Sequence, residues 1–383
     1  MNKIHNVILQ ATPFCNINCR YCYLPNRNAF SKMTQETVGR VFAEIFNSGL
    51  ASRYLTVIWH AGEPLVVGLD FFRAAFDTIA RLTPPEIELR HSINTNGILI
   101  SDEWCELFNV WNVNVGVSID GPKDLHDENR RTRANRGTFD AVMSGVRTLR
   151  ANQTPFYVIS VLTRTSMPRA DDYYDFCRDE GIGTICFNIE EVEGANRTSS
   201  MAGADIAALY TKFLRTFCSR VVNDGNRIKI REIENMLDEI VWPPDRAHPR
   251  SQLRPYGHLN IDWAGNFSTF SPELLGMKER RFDDFLLGNI WTTTLRQALD
   301  SPALAAMQAE IDQGVEMCRN TCEYFEVCGS GTPANKLFEN GTFASTETMF
   351  CRLNVKAVAD VALGFIAGAA NAGSAPGPSQ LVG

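Results

Sequence analysis

No apolar run in the 383-residue chain reaches the length a membrane-spanning helix requires. The first ten residues, Met1-Asn-Lys-Ile-His-Asn-Val-Ile-Leu-Gln10, are too short and too polar for a signal peptide. A basic excess is lacking as well. The net charge is −7, so neither nucleic acid nor a membrane surface is the expected partner. These absences predict a cytoplasmic protein whose thiols stay reduced. Hydrophobic residues make up 44% and charged residues 21%, which allows a large core in two or three domains.

Cysteine is not scarce. There are eleven, and in a reducing compartment they are read as metal ligands before disulfides. Seven fall in two groups, at 15–22 and 318–351. Cys105, Cys177, Cys186 and Cys218 sit in apolar or amphipathic stretches and read as small buried hydrophobes.

The first group is Cys15-Asn-Ile-Asn-Cys19-Arg-Tyr-Cys22, spaced C-x3-C-x2-C. A cubane [4Fe–4S] cluster usually takes four thiolates. Three on one tight loop leave one iron open, and an open iron can bind a substrate. Zinc is the competing reading. Structural zinc wants four ligands, usually from two separated pairs, and no Cys or His pair completes this loop nearby.

The first 190 residues alternate strand and helix patterns. Strands are predicted at 7–10, 55–59, 87–93, 113–119, 157–162 and 184–188, and helices near 34–48, 69–82, 101–110, 137–151 and 169–180. Thr34 and Ser101 are candidate caps, and Gly49 a candidate stop. Six βα units imply an α/β fold with a parallel sheet, best met by a partial (βα)6 barrel. Its site belongs at the C-terminal ends of the strands, where the cysteine loop lies. Helices at 203–222 and 228–241 follow. Pro243-Pro244 and Pro249 then suggest a boundary, so the domains are expected at 1–240 and 241–365. A final helix is expected near 353–368, and residues 366–383 read as a disordered, Gly- and Pro-rich tail.

Three further segments follow predicted strands: Trp59-His-Ala-Gly-Glu-Pro-Leu65, Asn94-Thr-Asn-Gly97 and Ser118-Ile-Asp-Gly-Pro122, the last leading to Arg130. A Gly-Glu-Pro turn can grip an ammonium, and a hydroxyl with an arginine can hold a carboxylate. In this order, after this cysteine loop, the chain resembles the radical SAM enzymes over about residues 5–235. The resemblance implies that Cys15, Cys19 and Cys22 hold a [4Fe–4S] cluster and that Tyr21 contacts the adenine of S-adenosylmethionine. It implies that the Ala61-Gly62-Glu63-Pro64 turn, the counterpart of GGEP, binds the methionine amino group. Ala61 replaces a glycine there, a change expected to leave the turn intact. Ser118 and Arg130 would bind ribose or carboxylate, and Asn96 is counted with them as a cofactor contact. An electron donor such as flavodoxin or ferredoxin is implied as a partner.

The second group, Cys318, Cys322, Cys328 and Cys351, can close a four-thiolate shell around an auxiliary cluster, with zinc again the competitor. This part resembles the SPASM domains that follow many radical SAM cores. Four cysteines suffice for one auxiliary [4Fe–4S] cluster, not two. The segment 260–273 looks like the opening hairpin of that domain. Where sulfatase-maturing enzymes carry a Cys-Asp pair in it, this chain has Phe270 and Ser271, which argues against sulfatase maturation.

The blocks 269–276 and 335–351 resemble the cyclophane-forming radical SAM/SPASM peptide maturases of the GrrM/OscB type. That resemblance implies oxidative crosslinking of a ribosomal precursor peptide, from an aromatic ring carbon to the β-carbon of a residue two positions on. The alternatives are thioether formation, epimerisation or formylglycine formation. The auxiliary cluster would accept an electron, and Asp262 and Glu273 are candidates for the base. Only about a dozen residues precede Cys15, so leader recognition is expected from the barrel, the C-terminal region or another protein.

Overall fold

The computed structural model describes residues 2–242 and 250–371. Six strands run parallel in chain order: β1 (Ile4–Gln10), β2 (Ala51–Trp59), β3 (Glu88–Thr95), β4 (Asn114–Ser118), β5 (Phe156–Leu162) and β6 (Thr184–Ile189). Between them lie helices α1 (Gln35–Asn47), α2 (Leu69–Leu82), α3 (Asp102–Val110), α4 (Lys123–Asn129), α5 (Phe139–Ala151) and α6 (Ala170–Asp179). Apolar residues at helical spacing explain the outer layer. In α1 the buried Val38, Val41, Phe42 and Ile45 face the sheet. Thr34 caps that helix by accepting from the Thr37 amide at 3.1 Å. Ser101 does not cap α3 in this way; its hydroxyl donates to the Glu103 carboxylate instead. The short helix α4 has no counterpart among the predicted elements.

Helix α7 (Ile206–Asn223), the two-residue strand β7 (Lys229–Ile230) and α8 (Arg231–Val241) complete the first part. Residues 243–249, with the prolines taken as a boundary, lie outside the described residues. The chain then returns as β8 (His258–Asp262), which pairs in parallel with β1 and sets Gln10 opposite Asp262. Strand β9 (Asn266–Thr269) turns back antiparallel, and β10 (Gly288–Asn289) follows it. The sheet order is β10-β9-β8-β1-β2-β3-β4-β5-β6-β7, and among the described residues no strand closes it into a full barrel. The hairpin read from the sequence as the opening of a second domain thus shares the barrel's own sheet.

Helices α9 (Leu295–Ala298), α10 (Pro302–Thr321), α11 (Phe325–Cys328) and α12 (Pro333–Asn340) follow; Cys318 lies on α10, Cys322 just after it and Cys328 on α11. A π-helical segment, Cys351–Ala357, leads into α13 (Val358–Asn371). Residues 366–371 are therefore helical, which corrects the expectation of a disordered tail from 366. The buried Val358, Val361 and Ala362 anchor this helix, and alanine continues it readily. Residues 372–383 lie outside the described residues. Cys105, Cys177, Cys186 and Cys218 are buried, as expected; the first two and Cys218 belong to the apolar core, whereas Cys186 lies near the charged Arg231 and Glu232. No described helix is long and apolar enough to cross a membrane.

Candidate active site

The loop after β1 is fixed before any ligand is considered. Its backbone bonds to the end of α4 and the strip that follows it: Arg20 N donates to Asn129 O at 3.0 Å and Asn18 N to Arg131 O at 2.7 Å. Arg133 Nε donates to Cys15 O at 2.8 Å, and Arg27 Nη1 to Cys19 O at 3.0 Å. Arg27 and Arg133 are thus positioning residues that sequence reasoning missed. The Gly-Glu-Pro turn after β2 docks on the same loop, with Glu63 N donating to Phe14 O at 2.8 Å. Gly62, at φ +62°, admits no side chain, because a Cβ would stand 2.4 Å from Thr12 O. Ala61 holds φ +69°. The turn is intact, as expected, but a non-glycine residue occupies a left-handed conformation there.

A cavity of about 420 Å³ opens at the strand ends, in the size range of small-molecule sites. It is lined by Cys15, Cys19, Cys22, Tyr21, Gly62, Glu63, Asn96, Ser118, Arg130 and Glu273. The structure thus brings these ten predicted residues to one place. Glu63 accepts from Leu65 N, Thr95 Oγ1 and Asn96 N at 2.7–3.0 Å, and burial pushes its carboxyl up to about 7. The Asn96 side chain donates to Asn16 Oδ1 at 2.6 Å and approaches Cys15 Sγ at 3.9 Å, so it braces the cysteine loop from within the cavity wall. Arg130 Nε lies 3.0 Å from Asp120 Oδ2 in a buried ion pair. The Tyr21 hydroxyl also donates to Asp120, and the Arg130 guanidinium lies 5.5 Å from the centre of the Tyr21 ring.

Asp262 does not line the cavity. Its carboxylate accepts from Ala264 N at 2.9 Å and from Asn266 N and Nδ2 at 3.0 and 2.9 Å, closing the β8–β9 turn. This corrects its reading as a candidate base, since an acceptor held by three turn donors is a structural group. Glu273 does reach the cavity, because β8 lies beside β1. Beside it stand Glu191 and Glu193, from the loop after β6. Burial raises all three carboxyls, and their mutual repulsion adds to this at Glu191 and Glu193. Their place directly after a parallel strand was the available signal. His60 was missed too. Its Nε2 lies 2.8 Å from Tyr23 Oη, and burial lowers its pKa to about 4, so the ring is neutral.

Cys318, Cys322, Cys328 and Cys351 line a second, smaller pocket together. Thr332 and Phe350 line both this pocket and the main cavity. Glu339 on α12 accepts from Met349 N and Phe350 N, which fixes the approach to Cys351. Among the described residues no three His, Cys, Asp or Glu side chains converge on a single metal ion. A cubane spreads its thiolates over separate irons, whereas tetrahedral zinc draws its ligands to one point. Three thiols on one loop and four around one pocket are soft thiolate donor sets that would fit iron–sulfur clusters.

The fold is thus an incomplete α/β barrel with three free thiols on the loop after its first strand. The Radical SAM superfamily model matches residues 9–188. The uncharacterised protein sll1766 of Synechocystis sp. is 38% identical over 362 residues, or 94% of this chain and 91% of that one. The serine-type anaerobic sulfatase-maturating enzyme of Bacteroides thetaiotaomicron is 25% identical over 84% of this chain and 80% of its own. Among solved structures, native anSMEcpe with bound AdoMet and Cp18Cys peptide matches with a TM-score of 0.78 at 20% identity, covering 96% of this chain and 99% of that one. Streptococcus suis SuiB bound to precursor peptide SuiA gives 0.65 at 14% identity, covering 91% and 76%. At these identities the structural likenesses speak to the fold alone. The chain belongs to the Radical SAM superfamily. It is an enzyme, and its cofactors are a [4Fe–4S] cluster and S-adenosylmethionine.

Proposed function

We propose that this enzyme modifies a ribosomally made precursor peptide by oxidative crosslinking, joining an aromatic ring carbon to a nearby β-carbon as in the GrrM/OscB type. Relatives named as sulfatase-maturating enzymes and the fold shared with peptide-bound SuiB support a peptide or protein substrate. The observation that carries the finer reading is the common wall. Thr332 and Phe350 border both the cavity and the four-cysteine pocket, so a peptide in the cavity would lie against the second site.

When bound at Cys15, Cys19 and Cys22, the cluster and S-adenosylmethionine supply abstraction of a hydrogen atom from an unactivated carbon. The chain's residues do the rest. Glu63 would take the methionine ammonium, while Tyr21, Ser118 and Arg130 form the wall for the nucleoside. Buried Asp120 holds Arg130 and Tyr21 in place. Crosslinking removes two hydrogens overall, one as an atom and one as a proton with an electron. Glu273, with Glu191 and Glu193, would accept the proton, since carboxyls raised by burial suit a general base. Cys318, Cys322, Cys328 and Cys351 would hold an auxiliary [4Fe–4S] cluster as the electron acceptor.

The similarity to sulfatase-maturating enzymes favours formylglycine formation as the second reading. Against it, Phe270 and Ser271 stand in the cavity wall, and Ser271 Oγ donates to Glu273. Co-expression with a small peptide encoded beside this gene, followed by tandem mass spectrometry, separates the two. The expected product has lost two hydrogens per ring, resists fragmentation across three residues and gives no aldehyde reaction with hydroxylamine. A hydroxylamine-reactive product, or inverted stereochemistry at unchanged mass, would overturn crosslinking.

A further inference from the structure

Lys336 is a lysine buried without a carboxylate. It lies on α12 and is 5% exposed. Among the described residues its ammonium makes no ion pair. Its three donors go to Gly314 O at 3.1 Å, Ser330 Oγ at 2.8 Å and Cys318 Sγ at 3.4 Å. Gly314 makes room for it, since a Cβ at that position would lie 3.2 Å from Nζ. Lys336 also lines the four-cysteine pocket. A buried cation is costly unless an opposite charge offsets it. The group in reach that becomes anionic is the sulfur shell itself.

We infer that Lys336 is the built-in counter-charge of the second site and sets its reduction potential. This rests on the reading of that site as an auxiliary cluster. Hydrogen bonds to the sulfurs and net local charge are the levers by which a protein tunes a cluster. A fixed cation donating to Cys318 favours the reduced, more negative form and so raises the potential. That direction suits an acceptor of the electron released when the crosslinked ring regains aromaticity. Lys336 is thus a positioning and tuning residue, not a catalytic one.

The test uses the full chain with Cys15, Cys19 and Cys22 replaced by alanine, so that only the second site can hold iron. Iron and sulfide content after anaerobic reconstitution tests the underlying reading by itself, because a chain that binds neither has no auxiliary cluster. In this background, a redox titration followed by electron paramagnetic resonance compares Lys336, Lys336→Met and Lys336→Arg. Lys336→Met is expected to lower the midpoint by at least a tenfold change in the one-electron equilibrium, about 59 mV, and Lys336→Arg to restore most of it. An unchanged midpoint in Lys336→Met overturns the inference. Should Lys336→Met fail to hold iron, the Lys336 chain labelled with 15N-lysine decides the matter. A nitrogen hyperfine coupling in the reduced cluster is then expected, and its absence overturns the inference equally.

Discussion

At Glu63 a buried carboxyl is held by three protein donors, yet burial still pushes it up to about 7 from its ordinary 4.5. A carboxyl raised in this way stabilises the free protein most below its unfolded value, and the contribution is lost as pH rises through the folded one. The stability of the native chain relative to Glu63→Gln is therefore expected to fall between about pH 5 and about pH 8, by up to roughly 3 kcal/mol. Urea unfolding of both proteins at the two values checks this; a constant gap would remove the perturbed carboxyl from the account. An ammonium beside the carboxylate offsets the penalty, so Glu63→Gln is also expected to weaken S-adenosylmethionine binding about tenfold or more, read by equilibrium dialysis. Arg130 poses the opposite problem. Its side chain is 7% exposed and that of its partner Asp120 1% exposed. Arg130→Met leaves a buried charge alone and is expected to cost about 3–5 kcal/mol. Adding Asp120→Asn should recover much of that loss in the same unfolding assay. Without such recovery, the pair is not what holds this wall.

Among the elements, the turn after β2 is the most constrained. Gly62 presses on the backbone of the cysteine loop, and Ala61 sits in left-handed backbone. The two positions should respond in opposite directions. Ala61→Gly is expected to stabilise by up to about 1 kcal/mol, because alanine is strained at this φ. Gly62→Ala should displace the cysteine loop and lower iron content at the first site. Urea midpoints and iron analysis of both variants check the order; stabilisation by Gly62→Ala would contradict the close approach to Thr12 O. The turn's existence was legible in Gly-Glu-Pro. Its strain was not, because a one-residue difference in φ leaves no trace in composition.

For the whole molecule, the decisive contact is β8 beside β1. It carries Phe270, Ser271 and Glu273 to the cavity that holds the first cysteines, and Gln10 Nε2 donates to Pro272 O at 3.2 Å across that seam. The two sites are neighbours, and on the proposed reading their duties are separable. Cys19→Ala is expected to abolish 5′-deoxyadenosine formation altogether. Cys322→Ala should leave that cleavage measurable while crosslinked product disappears. Chromatography of the nucleoside and mass spectrometry of the peptide read the two outcomes in one incubation. Normal product from Cys322→Ala would make the second site only structural.

Much of this was written in local order. The C-x3-C-x2-C loop, the six βα units and their site at the strand ends follow from spacing along the chain, where covalent neighbours fix geometry. So do the four cysteines of the second group, which recur within 34 positions of one another. Only the tertiary structure decided that Asp262 closes a turn while Glu273 faces the cavity, that Glu191 and Glu193 join it, and that Lys336 reaches Cys318. Those outcomes depend on which sheet edge is left open for β8 and how α12 packs against α10. Partners some 250 residues apart are chosen by burial and hydrogen bonding over the whole fold, which no local pattern encodes.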